Sequence, residues 1–187
     1  MSEKRKEILM KALKDPDENI SANASHALEK LESKKGIDQL KNCLKNGDRK
    51  ERVRAVYALG KIKNKEALIL LIKALKDPEE EVRSIVARVL GEIRDPRTLS
   101  YLLKSLDDES LVVKLSVIEA LGVYEDRRLT QRLLALLDGK EELKEQTIEA
   151  LGRIGDKSAE DALLNLSENG TPSIRAKALA ALGDLEL

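Results

Sequence analysis

One tripeptide recurs along the chain at an almost fixed interval, and that interval restricts the fold more than any other feature. Ala58-Leu59-Gly60, Val89-Leu90-Gly91, Ala120-Leu121-Gly122, Ala150-Leu151-Gly152 and Ala181-Leu182-Gly183 set their glycines 31, 31, 30 and 31 residues apart. One interval before Gly60, Ala27-Leu28 precedes Glu29, a first copy in which the glycine is replaced. A period of this size marks a repeat architecture. Counted from the glycine, position −9 holds Ile20, Glu51, Val82, Val113, Leu143 and Ile174. Position −5 holds Ala24, Ala55, Val86, Val117, Thr147 and Ala178, and position +2 holds Leu31, Ile62, Ile93, Tyr124, Ile154 and Leu185. With −2 and −1, these offsets trace one stripe of an α-helix. Upstream in each unit a second stripe has the same spacing, as in Leu68, Leu71, Ile72 and Leu75, or Leu99, Leu102, Leu103 and Leu106.

Each unit thus reads as two helices. The turn between them carries Asp15-Pro16, Asn46-Gly47, Asp77-Pro78, Asp108, Asp138-Gly139 and Asn169-Gly170, residues that cap helices or take tight turns. Four residues after the glycine stand Ser33, Asn64, Asp95, Asp126 and Asp156, expected as N-caps of the next unit's first helix. The glycine lies late in the second helix. Its expected purpose is close backbone approach between neighbours, against a propensity cost of ~1 kcal/mol. A two-helix unit cannot bury its stripe alone, so the units must stack. The expected fold is all-α, a right-handed α-solenoid of six two-helix repeats forming one domain. Its units are residues 1–33, 34–64, 65–95, 96–126, 127–156 and 157–187.

The pattern resembles the short HEAT-like repeats of the phycobilisome-lyase type. The resemblance spans the whole chain. It rests on Asp-Pro-Glu-Glu-Glu-Val-Arg (77–83), Val-Leu-Gly-Glu-Ile-Arg-Asp-Pro-Arg (89–97) and Ala-Leu-Gly-Arg-Ile-Gly-Asp-Lys-Ser (150–158). It implies a ladder in which a turn Asp pairs with an Arg six residues on. The column here is Asn46/Arg52, Asp77/Arg83, Asp108/Lys114, Asp138/Lys144 and Asn169/Arg175, with Asp15/Ser21 departing in the first unit. Deoxyhypusine hydroxylases, with related repeats, bind iron through several His-Glu dipeptides. Here the single His26 is followed by Ala27, so the resemblance implies no such activity. Helical HEAT-like DNA glycosylases rely on aromatic side chains around the base, and this chain has no Trp or Phe.

Little else in the sequence points to chemistry. One Cys excludes an internal disulfide framework, and one Cys with one His is a poor basis for a zinc site. Cys43 reads as a small core residue; a Cys–His nucleophile would need His26 beside it and a third, orienting group. Gly152-Arg153-Ile154-Gly155 follows no strand and is not a nucleotide fingerprint. No catalytic residue, metal or cofactor is therefore expected, and the chain is expected not to be an enzyme. No apolar run follows Met1–Lys6 or approaches the ~20 residues of a membrane span, so a cytoplasmic protein off the membrane is expected. Charged residues make up 36% and Asn with Gln only ten positions, a balance that thermophiles favour.

In a repeat array, function belongs where a surface column changes character. Only the fourth unit puts Leu111, Val112 and Leu115 in columns that are elsewhere mostly polar or small, and Val123 continues the departure. In HEAT arrays the second helix lines the concave face. An apolar patch there, joined by Val53, Tyr57 and Arg88 from neighbouring columns, reads as a partner-binding site. The alternative is a slightly rotated unit whose side chains pack between neighbours. Charge is also segregated: residues 1–64 hold 16 basic and 10 acidic side chains, residues 65–187 hold 18 and 24. Arg49, Lys50, Arg52, Arg54 and Lys61 concentrate in the second unit, as an anion-binding patch or a solvated face. The expected function is a non-catalytic protein–protein interaction scaffold. The alternatives are nucleic-acid or acidic-partner binding through the basic units, and an enzyme or lyase subunit completed by another chain. Ser2–Glu7 reads as a polar end cap. Ala181–Leu187 reads as an uncapped apolar end, so the expected state is a monomer or a weak homodimer through that end.

Overall fold

The structure is a computed structural model that describes residues 3–62 and 64–185, apart from the side chains of residues 3 and 33. Residues 2, 186 and 187 of the two expected end features lie outside it. The helices are α1 Glu3–Ala12, α2 Glu18–Asn46, α3 Arg49–Lys61, α4 Lys65–Ala74, α5 Glu80–Ile93, α6 Leu99–Ser105, α7 Leu111–Val123, α8 Thr130–Leu134, α9 Glu141–Ile154, α10 Glu160–Asn169 and α11 Pro172–Asp184. Short 3₁₀ turns at Pro96–Thr98, Arg127–Leu129 and Lys157–Ala159 lead into α6, α8 and α10. The described residues contain no strand.

Side-chain caps set most helix starts. Asn64 accepts the Ala67 amide at 2.9 Å, and Asp95, Asp126 and Asp156 accept the amides of Arg97, Arg128 and Ser158 at 2.9, 3.0 and 3.0 Å. Residue 33, the fifth expected cap, starts nothing. It lies inside α2, which runs unbroken for 29 residues, about 43 Å at 1.5 Å per residue. Local chemistry explains the difference. Glu29 replaces the glycine, no Asp or Asn stands four residues after it, and Gly36 alone does not break a stretch of good helix formers.

The glycines act as expected. A methyl built on Gly91 would lie 2.9 Å from Ala120 Cα, on Gly122 2.9 Å from Ala150 Cα, and on Gly152 3.0 Å from Ala181 Cα. Each glycine therefore receives the residue at −2 of the following unit, backbone against backbone. At Gly60 the neighbour is a Val89 methyl, at 2.6 Å. Glu29 cannot make this approach to Ala58. One apolar core runs from Ile37 to Ala181, and Ala24, though buried, stands apart from it. Ile8, Met10 and Ile20 of α1 and α2 remain exposed.

The second helices α3, α5, α7, α9 and α11 pack in series through these close approaches, whereas α4, α6, α8 and α10 meet one another sparsely. A two-layer stack curves towards its more tightly spaced layer, so the second helices line the concave side. Two rungs of the Arg–Asp ladder are present, at Arg52 and Arg83, and they connect units; Lys114 and Lys144 make no ion pair with the described residues, and Arg175 donates to the Ser167 carbonyl. Arg83 donates to Asp108 of the next unit at 2.8 and 2.9 Å, and to the Asp77 and Pro78 carbonyls of its own turn at 2.8 and 3.0 Å. Arg52 treats Asp77 alike, at 2.8 and 3.0 Å, and also donates to the Gly47 carbonyl. The six-residue spacing thus brings the Arg to its own turn's carbonyls, and the carboxylate comes from 25 residues on. Burial opposes ionisation of Asp108. The Arg83 guanidinium, the Ser110 amide and the charge of Lys114 outweigh it and hold the carboxyl below its ordinary range.

Candidate protein-binding face

On each second helix, positions −10, −7, −3 and +1 fall on one side, because they are three and four residues apart. On α3 these are Lys50, Val53, Tyr57 and Lys61; on α5 Glu81, Ser84, Arg88 and Glu92. On α7 they are Val112, Leu115, Glu119 and Val123, and on α9 Glu142, Glu145, Glu149 and Arg153. Packing of the helices in series lays these sides next to one another along the concave layer.

The centre of this surface is α7. Its neighbours α5 and α9 are amphipathic, but α7 has no segregated polar face: apolar side chains lie on every side of it, with only Lys114, Ser116 and Glu119 scattered among them. A helix with apolar side chains on every side is expected to be largely buried. Yet Val112 is 52% exposed, and Leu111 and Leu115 are half-buried. Across α5, Tyr57 is 47% exposed, Arg88 is exposed, and Val53 is half-buried against the core. The rotated-unit alternative thus describes Leu111 and Leu115 in part, and leaves Val112 in solvent.

The basic residues of the second unit divide. Arg52 is committed to Asp77, with side-chain exposures of 15% and 6% for the pair. Arg49 pairs with Glu81 at 3.0 Å in the open. Lys50, Arg54 and Lys61 are exposed. Lys61 also borders an open depression of about 810 Å³ at the ends of α3 and α5, together with Lys65, Arg94 and Arg97. There Asp95 holds Arg97 at 2.5 Å and Glu125 holds Arg94 at 3.7 Å.

In the acidic half, Lys177 of α11 bonds Glu149 and lies 3.9 Å from Glu145; the Glu149 carboxylate holds its ammonium above the ordinary lysine range. Ser173 donates to Glu145 at 2.5 Å. Glu119 and Glu142 are exposed and make no hydrogen bond or ion pair with the described residues. Neither was singled out by the sequence. Reading position −3 as Tyr57, Arg88, Glu119, Glu149 and Ala180 is the signal that finds Glu119.

His26 is exposed and Cys43 half-buried, and both lie on α2, 17 residues apart. The helix rise separates them by about 25 Å, so they form no pair within one chain. Cys43 is accordingly not a core residue. Among the described residues no group of three or more His, Cys, Asp or Glu is placed to hold a metal ion, and no helix is long and apolar enough to cross a membrane.

These features define an α-solenoid with a curved inner surface of consecutive second helices. A family model of HEAT repeats matches residues 37–122 and 127–187, and the chain belongs to that family. The match begins where the continuous core begins. No curated protein matches the chain. Similar solved structures include the complex of CpcE and CpcF of phycocyanin lyase from Nostoc, at 24% identity and TM-score 0.69, with 80% of this chain and 64% of that chain covered. A designed armadillo repeat protein in complex with the peptide (KR)4 matches at 21% identity and TM-score 0.59, covering 95% of this chain and 98% of that one. Human deoxyhypusine hydroxylase with glycerol matches at 19% and 0.63, covering 84% and 65%. The chain thus spans less than two thirds of the lyase and hydroxylase chains. At these identities the likeness is one of fold.

Proposed function

We propose that the chain is a non-catalytic scaffold that binds a segment of another protein on its concave second-helix face. One observation carries this reading: α7, predominantly apolar and without a polar face, keeps Val112 in solvent beside the half-buried Leu111 and Leu115. Exposed apolar surface among polar neighbours favours a partner. Tyr57 and Arg88 supply the side chains that most often anchor interfaces. Two similar folds are themselves held in complexes, one with a peptide and one with a second chain. The non-catalytic part of the reading rests on the separation of His26 from Cys43.

Nucleic-acid binding through the basic units is less well supported, since Arg52 and Arg49 already have carboxylate partners. The deciding experiment is affinity capture from an extract of the source cell at low and high salt, wild type beside Val112→Asp. Retention of one protein at high salt, lost in the variant, is the expected result. Nucleic acid recovered only at low salt, or capture indifferent to the substitution, refutes it.

A further inference from the structure

Apart from the exposed Glu92 and Arg153 at position +1, and Glu81, which Arg49 pairs, the concave face changes sign around its apolar centre. On the α3–α5 side, Lys50, Arg54, Lys61 and Arg88 are exposed and make no ion pair with the described residues. On the α7–α9 side, Glu119 and Glu142 are likewise exposed and unpaired, and Glu145 and Glu149 share a single cation, Lys177. Val112 and Leu115 lie between the two groups. Arg88 and Glu119 hold the same register position on adjacent helices, so the sign reverses within one helix spacing. Among close-packed helices that spacing is about 10 Å.

A ligand bound here is therefore selected by charge order as well as by shape. A uniformly basic segment would meet Lys50, Arg54 and Arg88; a uniformly acidic one would meet Glu119 and Glu142. Like charges brought together across an interface oppose binding strongly. We infer that the partner is an extended peptide segment in which an acidic stretch and a basic stretch flank an aliphatic centre. The acidic stretch lies over α3 and α5, the aliphatic centre on Val112 and Leu115, and the basic stretch over Glu119 and α9. This inference rests on the reading of the face as a protein-binding surface. From α3 to α9 there are three helix spacings, about 30 Å, which an extended chain spans with about nine residues.

The test uses a random twelve-residue peptide library displayed on phage, selected against the full chain and, in parallel, against Val112→Asp. Peptides recovered by the wild type alone, with acidic and basic runs on opposite sides of an aliphatic stretch, support the inference. A synthetic copy of such a peptide then binds at least ten-fold more tightly than a copy of identical composition with alternating charges. Arg88→Glu and Glu119→Lys, both at exposed positions, each weaken it about five-fold or more at low salt. Recovered peptides of one sign, or without charge order, that still depend on Val112 overturn the charge order and leave the binding face standing. No enrichment over the Val112→Asp control overturns both.

Discussion

Substituting alanine for glycine in the same Ala-Leu-Gly motif has opposite consequences at two positions. Inside a helix alanine is favoured over glycine by ~1 kcal/mol, so both Gly122→Ala and Gly183→Ala begin with that gain. At Gly183 a methyl meets none of the described residues within 4 Å, and the gain is kept. At Gly122 it meets Ala150 Cα at 2.9 Å and Ala150 Cβ at 3.0 Å. Carbon atoms in good contact are ~3.5–4.0 Å apart, so α7 and α9 must separate by roughly 0.6–1 Å. A gap of that size forfeits a quarter to a half of each contact well between the two helices, whose buried side chains include Val117, Ile118 and Leu121 of α7 and Ile148 and Leu151 of α9. Overpacking of this kind costs ~1–3 kcal/mol, and a backbone neighbour cannot rotate aside, which places the cost at the upper end. The net expectation is a loss of about 2 kcal/mol for Gly122→Ala, a fall in Tm of ~4–8 °C. For Gly183→Ala it is a gain of up to about 1 kcal/mol. Thermal and urea unfolding, followed by far-UV circular dichroism, measure both. A Gly122→Ala variant as stable as wild type, or a Gly183→Ala variant that loses as much, refutes the close-approach argument.

Thr147 Oγ1 is buried without a hydrogen-bond partner among the described residues, at a position where other units carry Ala or Val. Thr147→Val should therefore raise stability by about 1 kcal/mol in urea unfolding, and a loss would show that the hydroxyl is satisfied. The Tyr124 hydroxyl lies 3.0 Å from the Leu90 carbonyl and 2.5 Å from Thr98 Oγ1, joining neighbouring units, so Tyr124→Phe should cost about 1 kcal/mol in the same assay. Arg94 and Glu125 both adopt φ of 52°, where the corresponding residue of a later unit is Gly155. Arg94→Gly should be neutral or stabilising by up to about 1 kcal/mol in Tm-derived free energy, since the exposed Arg94–Glu125 pair it removes contributes little. Asp108 is held below the ordinary carboxylate range as described, and Asp95 and Asp126 are held low chiefly by Arg97 and Arg128. A depressed carboxyl contributes stability that is present above its unfolded value, near pH 4, and lost as pH falls through its folded value. Urea midpoints should be flat from pH 7 to about 5 and fall below about pH 4; an Asp108→Asn variant should be less stable at neutral pH and fall less.

How much the sequence decides differs between its parts. The period, the two stripes and the glycine column dictate a stacked helical array, because a two-helix unit has no other way to bury its apolar side. The caps at Asn64, Asp95, Asp126 and Asp156 were legible, because each acts on an amide within three residues. The expected cap at residue 33 misled, because a repeat frame assigns every unit the same turn, whereas a helix ends only where its own residues stop it. Tertiary structure alone decided the rest. It took Arg52 and Arg83 to carboxylates 25 residues away, where the local spacing had indicated a partner in the same unit. It set His26 and Cys43 on one continuous helix, beyond each other's reach. It also separated Val112 from Leu111 and Leu115, three apolar side chains within five residues that the sequence could not rank by exposure. Local chemistry propagates only a few residues along a chain. Which long side chain is paired, and which apolar one is left in water, depends on the neighbour that stacking brings alongside.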